Sequence, residues 1–271
     1  VSLRGDRTAV FAGEELSIEL FVCNDTHTVS DGHTLVLELM DSTGNVVMGG
    51  EYDAKFGENS SFMQGDVCFT APDVTARESY TLRAILTDGT GKVLHYTDES
   101  VEIFPHMAEE PGTAVSVSGE AFLARQEELT SVAASGKTIV INGLEPGTYD
   151  IAGTEVKVKA CGMRALHFVS RKTGHPLVEG FTPYDFRLWY DTEKDRITPL
   201  LRRTFTADGM TPILTSGNSL TASAWGQKLY PAFACAEMKC GNGKIILNEV
   251  DLDSHLANPV ARIFKNRLMR Y

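Results

Sequence analysis

The chain has 271 residues, 42% of them hydrophobic, with a formal net charge of −11 and an isoelectric point near 5.1. That apolar content supports packed cores and excludes a disordered chain. The acidity disfavours phosphate-backbone partners, so no nucleic-acid role is expected, and no apolar run approaches the roughly 20 residues of a membrane helix.

The first residues, "VSLRGDRTAV", lack a basic start followed by an apolar stretch, so no secretion signal is read there. The absence of an initiator Met suggests a piece cut from a longer protein, with Met removal as the alternative. The next hundred residues alternate. Leu16, Ile18, Leu20 and Val22 point one way in "LSIELFV"; Leu35, Leu37 and Leu39 share a face in "TLVLELM"; Tyr80, Leu82, Ala84 and Leu86 do so in "YTLRAIL". "DSTGN" (41–45) and "DGTGK" (88–92) read as hairpin connections. Residues 1–105 are therefore expected to form an all-β immunoglobulin-like sandwich without the Cys…Trp…Cys signature of antibody domains.

Pro105 and Pro111 bracket an acidic stretch, read as a linker over 106–111. Beyond it the periods mix. Phe122, Leu129, Val132 and Ala133 fall near one helical face, and Gly136 sits where a helix C-cap belongs. "KTIVIN" then reads as a short buried strand. At the C-terminus "KIILNEVDL" is a strand, Asn258 an N-cap and Pro259 a first helical residue, with Val260, Ile263, Phe264 and Leu268 at helical spacing. Residues 112–271 are expected to be an α/β domain, with some antiparallel strands near Ala232–Val250.

Candidate chemistry is sparse. Cys23, Cys68, Cys161, Cys235 and Cys240 are odd in number and widely scattered, which argues for free buried thiols over a Cys23–Cys68 contact across the sandwich, for a reducing and hence cytoplasmic compartment, and for no zinc site. Cys161, in "KACGM", lacks a nucleophile elbow and reads as structural. Glu249, Asp251 and Asp253 alternate in "NEVDLD"; on an extended strand they share a face suited to Ca²⁺ or to acid–base work, or they simply end a strand in a polar loop. The densest stretch is "YDFRLWYD" (184–191). Asp185, Arg187, Trp189 and Tyr190, with Trp225 as a second platform, would suit a carbohydrate: sugar C–H faces stack on aromatic rings and hydroxyls bond to polar neighbours. The other reading is packing, since Phe186 and Trp189 at i, i+3 fit one side of a helical turn and burying an aromatic stabilises by about 2–3 kcal/mol.

The run "YDFRLWYDTEKDRITPLLRRTFTADGMTPILTSGN", followed by "GNGKIILNEVDLDSHLANPVARIFKNRLMRY", resembles the C-terminal region of bacterial glycoside hydrolase family 2 proteins, the β-galactosidase-like group. "GEELSIELFVCND" is similar to the sandwich domain that follows their catalytic barrel, and the second half looks like the glutamine-amidotransferase-like, flavodoxin-type domains appended to some glycosidases. The resemblance implies an accessory, non-catalytic region that partners the catalytic barrel of a parent chain, with carbohydrate and oligomer contacts as further expectations and no cofactor. The family's catalytic glutamates lie on a barrel for which this chain has no room, and the amidotransferase nucleophile is unmatched, so no catalytic residue carries over. The alternative is a stand-alone hydrolase acting on glycosides through the carboxylates of the α/β domain.

Overall fold

The computed structural model describes residues 1–5, 7–27, 32–108, 111–161, 165–216 and 232–271. The chain divides into two compact units, Val1–Met107 and Ala108–Tyr271.

The first unit is all β: β1 (Ser2–Arg4), β2 (Ala9–Phe11), β3 (Glu15–Asn24), β4 (Thr34–Met40), β5 (Val46–Asp53), β6 (Ser60–Thr70), β7 (Glu78–Thr87) and β8 (Val93–Phe104). Two sheets form, in the orders β1-β3-β6 and β2-β8-β7-β4-β5. The alternation dictates how they stack. Leu16, Ile18, Leu20 and Val22 on β3 are buried with Leu35, Leu37 and Leu39 on β4 and Tyr80, Leu82, Ala84 and Leu86 on β7, each apolar side chain contributing about 1.5–3 kcal/mol. The result is a β-sandwich with an apolar interior. Its hairpin loops close on aspartates: Asp41 Oδ1 accepts from the backbone N–H of Thr43 and Asn45 at 2.9 Å, and Asp88 Oδ1 accepts from Thr90 N at 2.9 Å. The Thr43 hydroxyl, which donates to Asp41 Oδ1 at 2.7 Å, does most to favour the ionised carboxylate, and with the Asn45 bonds it holds the Asp41 pKa down to about 2.

One expectation is corrected here. Cys23 and Cys68 are free but exposed rather than buried. Their partners across β3 and β6 are Ser61 and Ser17, the outward-facing positions of those strands.

The second unit comprises β9 (Val115–Ser118), α1 (Gly119–Ala124), α2 (Gln126–Ala134), β10 (Thr138–Asn142), β11 (Gly147–Ile151), β12 (Thr154–Ala160), β13 (Tyr190–Asp191), β14 (Arg196–Ile197), β15 (Arg203–Ala207), β16 (Thr211–Ser216), β17 (Ala232–Cys240), β18 (Gly243–Asn248) and α3 (Pro259–Arg270). Its main sheet runs β11-β12-β15-β17-β18-β10-β9, with β16 also on β17. Only β9–β10 and β10–β18 are parallel; the other pairings are antiparallel. The flavodoxin-type, amidotransferase-like α/β layer expected over 112–271 is therefore corrected to a mixed, mainly antiparallel sheet. The physical reason is loop length. β11 joins β12 through Ala152 and Gly153, and β17 joins β18 through Gly241 and Asn242; two-residue turns can only make antiparallel neighbours.

The helices behave as their sequences dictate. Phe122, Leu129 and Ala133 are buried on the sheet, but the helix breaks at Arg125 (φ −129°, ψ 30°) into α1 and α2. Asn258 caps α3, its Oδ1 accepting from Val260 N at 2.9 Å, and Val260, Phe264 and Leu268 are buried. No described helix is long and apolar enough to cross a membrane.

Candidate functional site

Three parallel strands end together. Register places Ser118 of β9 beside Asn142 of β10, and Asn142 beside Asn248 of β18. Two of these strands are apolar runs closing on asparagine, "IVIN" and "IILN", and their side chains meet. Asn248 Nδ2 donates to Asn142 Oδ1 at 2.9 Å, and Asn142 Nδ2 donates to Ser116 Oγ at 2.9 Å. A row of amide and hydroxyl groups thus crosses the carboxyl ends of the strands, the edge where open sheets with parallel strands hold ligands.

The backbone closes tightly around this row. A Cβ on Gly119 would lie 2.7 Å from Gly143 O, so only glycine fits where β9 passes into α1. Gly143, at φ +69°, turns the chain so that its N–H donates to Asn248 O at 3.1 Å. The next N–H, of Leu144, donates to Glu249 Oε1 at 2.8 Å. A cleft of about 370 Å³ opens above, lined by Ser116, Ser118, Asn142, Asn248, Glu249 and Asp251, with Arg202, Arg203, Asp253 and Lys265 also on its wall.

Glu249 is 7% exposed. Burial pushes its carboxyl up to about 7, against the opposing effects of the Leu144 N–H bond and the Arg203 charge. Near neutral pH it is thus poised to donate a proton or accept one. The sequence placed Glu249, Asp251 and Asp253 on one strand face; the structure instead ends β18 at Asn248, and the three part company. Asp251 Oδ1 accepts from Ser254 N at 3.2 Å, and Asp253 pairs with Lys265 at 2.5 Å. All three still line the cleft. Among the described residues no group of three or more His, Cys, Asp or Glu side chains is arranged to hold a metal.

The segment after β18 is fixed from below. His255 Nδ1 donates to Asp251 O at 2.7 Å, and its Nε2 is hydrogen-bonded to Thr198 Oγ1 at 2.9 Å, a hydroxyl that also lies 3.3 Å from Asp191 Oδ2. His255 and Thr198 are buried, so this strap positions the cleft wall from within.

"YDFRLWYD" divides by position. Phe186 and Trp189 are each 1% exposed. The Trp189 ring lies 5.8 Å from Phe186 and 5.4 Å from His255, and its Nε1 donates to Asp185 O at 2.6 Å. Phe186 in turn meets Phe264 of α3 at 5.5 Å. A buried indole has no open face to stack on a sugar, so the platform expected at Trp189 is corrected to core. Asp185 is also buried and accepts from Thr182 N at 2.6 Å. Tyr190 bonds through its hydroxyl to Asp195. Arg187 points outward over the rings of Tyr184 (4.9 Å) and Phe168 (5.8 Å). Trp225 lies outside the described residues. None of Asp185, Arg187, Trp189 or Tyr190 lines the cleft.

Cys161 is half-buried and its Sγ donates to Leu201 O at 3.2 Å; burial raises its thiol and that of fully buried Cys235. No cysteine lines the cleft.

The fold and site define a β-rich chain with a sandwich unit and a second unit carrying a polar cleft. No family model matches the chain, and no curated protein matches it. Among solved structures it is similar to a β-glucuronidase 2 of Bacteroides uniformis, at 12% identity over 48% of this chain and 19% of that one, with a TM-score of 0.30. A cold-adapted β-galactosidase from Rahnella sp. R3 is similar at 15% identity over 58% of this chain and 22% of that one, TM-score 0.31. A Parabacteroides merdae β-glucuronidase gives 10%, 47%, 18% and 0.24 in the same order. This chain spans about a fifth of the length of each.

Proposed function

We propose that this chain is an accessory, non-catalytic region of a glycoside hydrolase resembling family 2, and that its second unit holds a carbohydrate in the cleft at the ends of β9, β10 and β18. The carrying observation is the Asn248–Asn142–Ser116 row beside the buried carboxyl of Glu249. Sugar hydroxyls both donate and accept, and a site of amides, a hydroxyl and a half-protonated carboxyl answers both. Within this reading the sandwich packs against the catalytic barrel of the parent chain, in support of which stand the five-plus-three strand order of an immunoglobulin-like domain and the sequence resemblance. Five free cysteines suit a reducing, cytoplasmic setting.

Calorimetric titration of the whole chain with galactosides, glucuronides and plant oligosaccharides tests the binding. At least one should release heat, and Asn142→Ala, with its circular dichroism unchanged, should abolish it. Equal heats from both proteins, or none from either, remove the cleft from the proposal.

A second reading, a hydrolase in its own right, is favoured by one observation: Glu249 titrates near neutrality within a cleft that also contains Asp251. Turnover of aryl glycosides by the purified chain, lost in Glu249→Gln, would establish that reading and displace the accessory one.

A further inference from the structure

Among the described residues, strands β5 and β6 are the outer edges of their respective sheets: β5 pairs only with β4, and β6 only with β3. Both edges border one apolar groove of about 70 Å³, into which Leu37, Leu39, Met48, Tyr52, Val67 and Phe69 project. The groove is the sandwich interior left open where the sheets part. Cross-strand register puts Met48, Gly50 and Tyr52 on the same face as buried Leu39, Leu37 and Leu35. Met48 is nevertheless 41% exposed and Tyr52 58%.

The two edges differ. β6 is interrupted by a bulge at its pairing with Leu20 and Phe21, beside Gly65 at φ +129°, a device that blunts edge pairing. β5 has its own bulge only near its start, where Val46 and Met48 pair with Met40 and Leu39; from Met48 to Asp53 its register is regular, and "MGG" carries no charge and no proline. The other face of β5 is acidic. Glu51 and Asp53 are exposed there without ion pairs among the described residues, next to Glu38 of β4. Arg83, which stands opposite Glu38 across β4 and β7, is engaged by Asp98 at 2.7 Å.

We propose that β5 accepts an extended segment of a partner protein as an added strand, one that alternates apolar with basic residues. Backbone pairing to β5 supplies the common affinity. Alternate apolar side chains enter the groove beside Met48 and Tyr52, and the intervening lysines or arginines meet Glu51 and Asp53. An open strand edge specifies a strand rather than a helix, and the acidic outer face specifies the charge.

The test uses the full chain and two nine-residue synthetic peptides, one alternating valine with lysine, the other valine with glutamate. The lysine peptide should bind and slow hydrogen exchange of residues 46–53, with the glutamate peptide at least about tenfold weaker because like charges oppose at an interface. The double variant Glu51→Lys/Asp53→Lys, altered only at exposed positions, should reverse the preference. Met48→Glu should abolish binding of both. Equal binding of the two peptides, protection elsewhere than 46–53, no binding, or concentration-dependent self-association that Met48→Glu removes would each overturn the proposal, the last in favour of a second copy of this chain.

Discussion

The two units bury their sheets by different means. Among the described residues, the buried polar or charged side chains are His33 in the first unit and His175, Asp185, Asp191, Thr198, Ser216, Asn248, Glu249 and His255 in the second. Backbone strain is distributed in the same way. The first unit places one non-glycine residue at positive φ, Asn59, a type that tolerates it; the second places Ala152, Leu188 and Asp195 there. The sandwich follows local rules throughout, and the second unit breaks several. Departures of that kind collect where a fold supports chemistry, and this contrast is in keeping with the proposal of a carbohydrate cleft in the second unit.

The largest expected effect separates core from surface within "YDFRLWYD". Trp189→Ala should destabilise the second unit by about 3–5 kcal/mol, the usual cost of emptying a buried aromatic site. Tyr184→Ala, at 71% exposure, should stay within about 0.5 kcal/mol. Denaturant unfolding followed by tryptophan fluorescence measures both. A small loss at Trp189 would break the contrast, since the segment would then be surface as the platform reading requires.

Glu249 gives the next effect, and its sign is unusual for a carboxylate. Its pKa is raised from 4.5 to about 7 on folding, so the folded state holds a proton that the unfolded state has lost. Stability is therefore unaffected by this group below about pH 4.5, falls as pH rises toward 7, and carries the full cost above 7, on the order of 3 kcal/mol. Gln keeps the acceptor for Leu144 N–H and cannot ionise. Glu249→Gln should flatten the stability profile between pH 5 and 7 and be the more stable protein at pH 8. Parallel profiles would mean the carboxyl is solvated, and the cleft would lose its titrating group.

Asn248→Ala should cost about 1–3 kcal/mol, because it strands Asn142 Oδ1 and the Val250 backbone groups that the amide satisfies. The same truncation at exposed Asn45, whose amide bonds only within its own loop, should cost less. Thermal unfolding of the two variants compares them directly.

What was legible in the sequence follows this division. Alternation at Leu16–Val22 and Leu35–Leu39 was sufficient for the sandwich because each strand buries one face and the signal is local. The Asn258–Pro259 start of α3 and the Gly136 end of α2 were legible for the same reason; Gly136 takes φ +114°. The cleft was not, because its pieces are distant in the chain: Leu144 N–H meets Glu249 across 105 residues. A trace was present in the matched endings "IVIN" and "IILN", two apolar strands each closing on an amide. The register that joins them, Asn142 to Asn248, is set by the sheet order, which no window of sequence contains.

The smallest effect tests whether every broken rule in the second unit belongs to its function. The β11–β12 turn sets Ala152 at φ +48° and Gly153 at φ +79°, the two left-handed residues of a type I′ hairpin. Alanine is a poor choice at the first of these, where asparagine or glycine relieves the crowding of Cβ against the backbone. The sandwich's "DSTGN" loop shows the compliant solution, with Gly44 at φ +85°. Ala152→Asn should therefore stabilise the protein by about 0.5–1 kcal/mol in thermal unfolding. Ala152 does not line the cleft, so oligosaccharide titrations should be unchanged. A gain in stability with unaltered binding would mark this strain as incidental and confine the functional departures to Asn142, Asn248 and Glu249. A loss of binding would instead tie the β11–β12 edge of the sheet to the site.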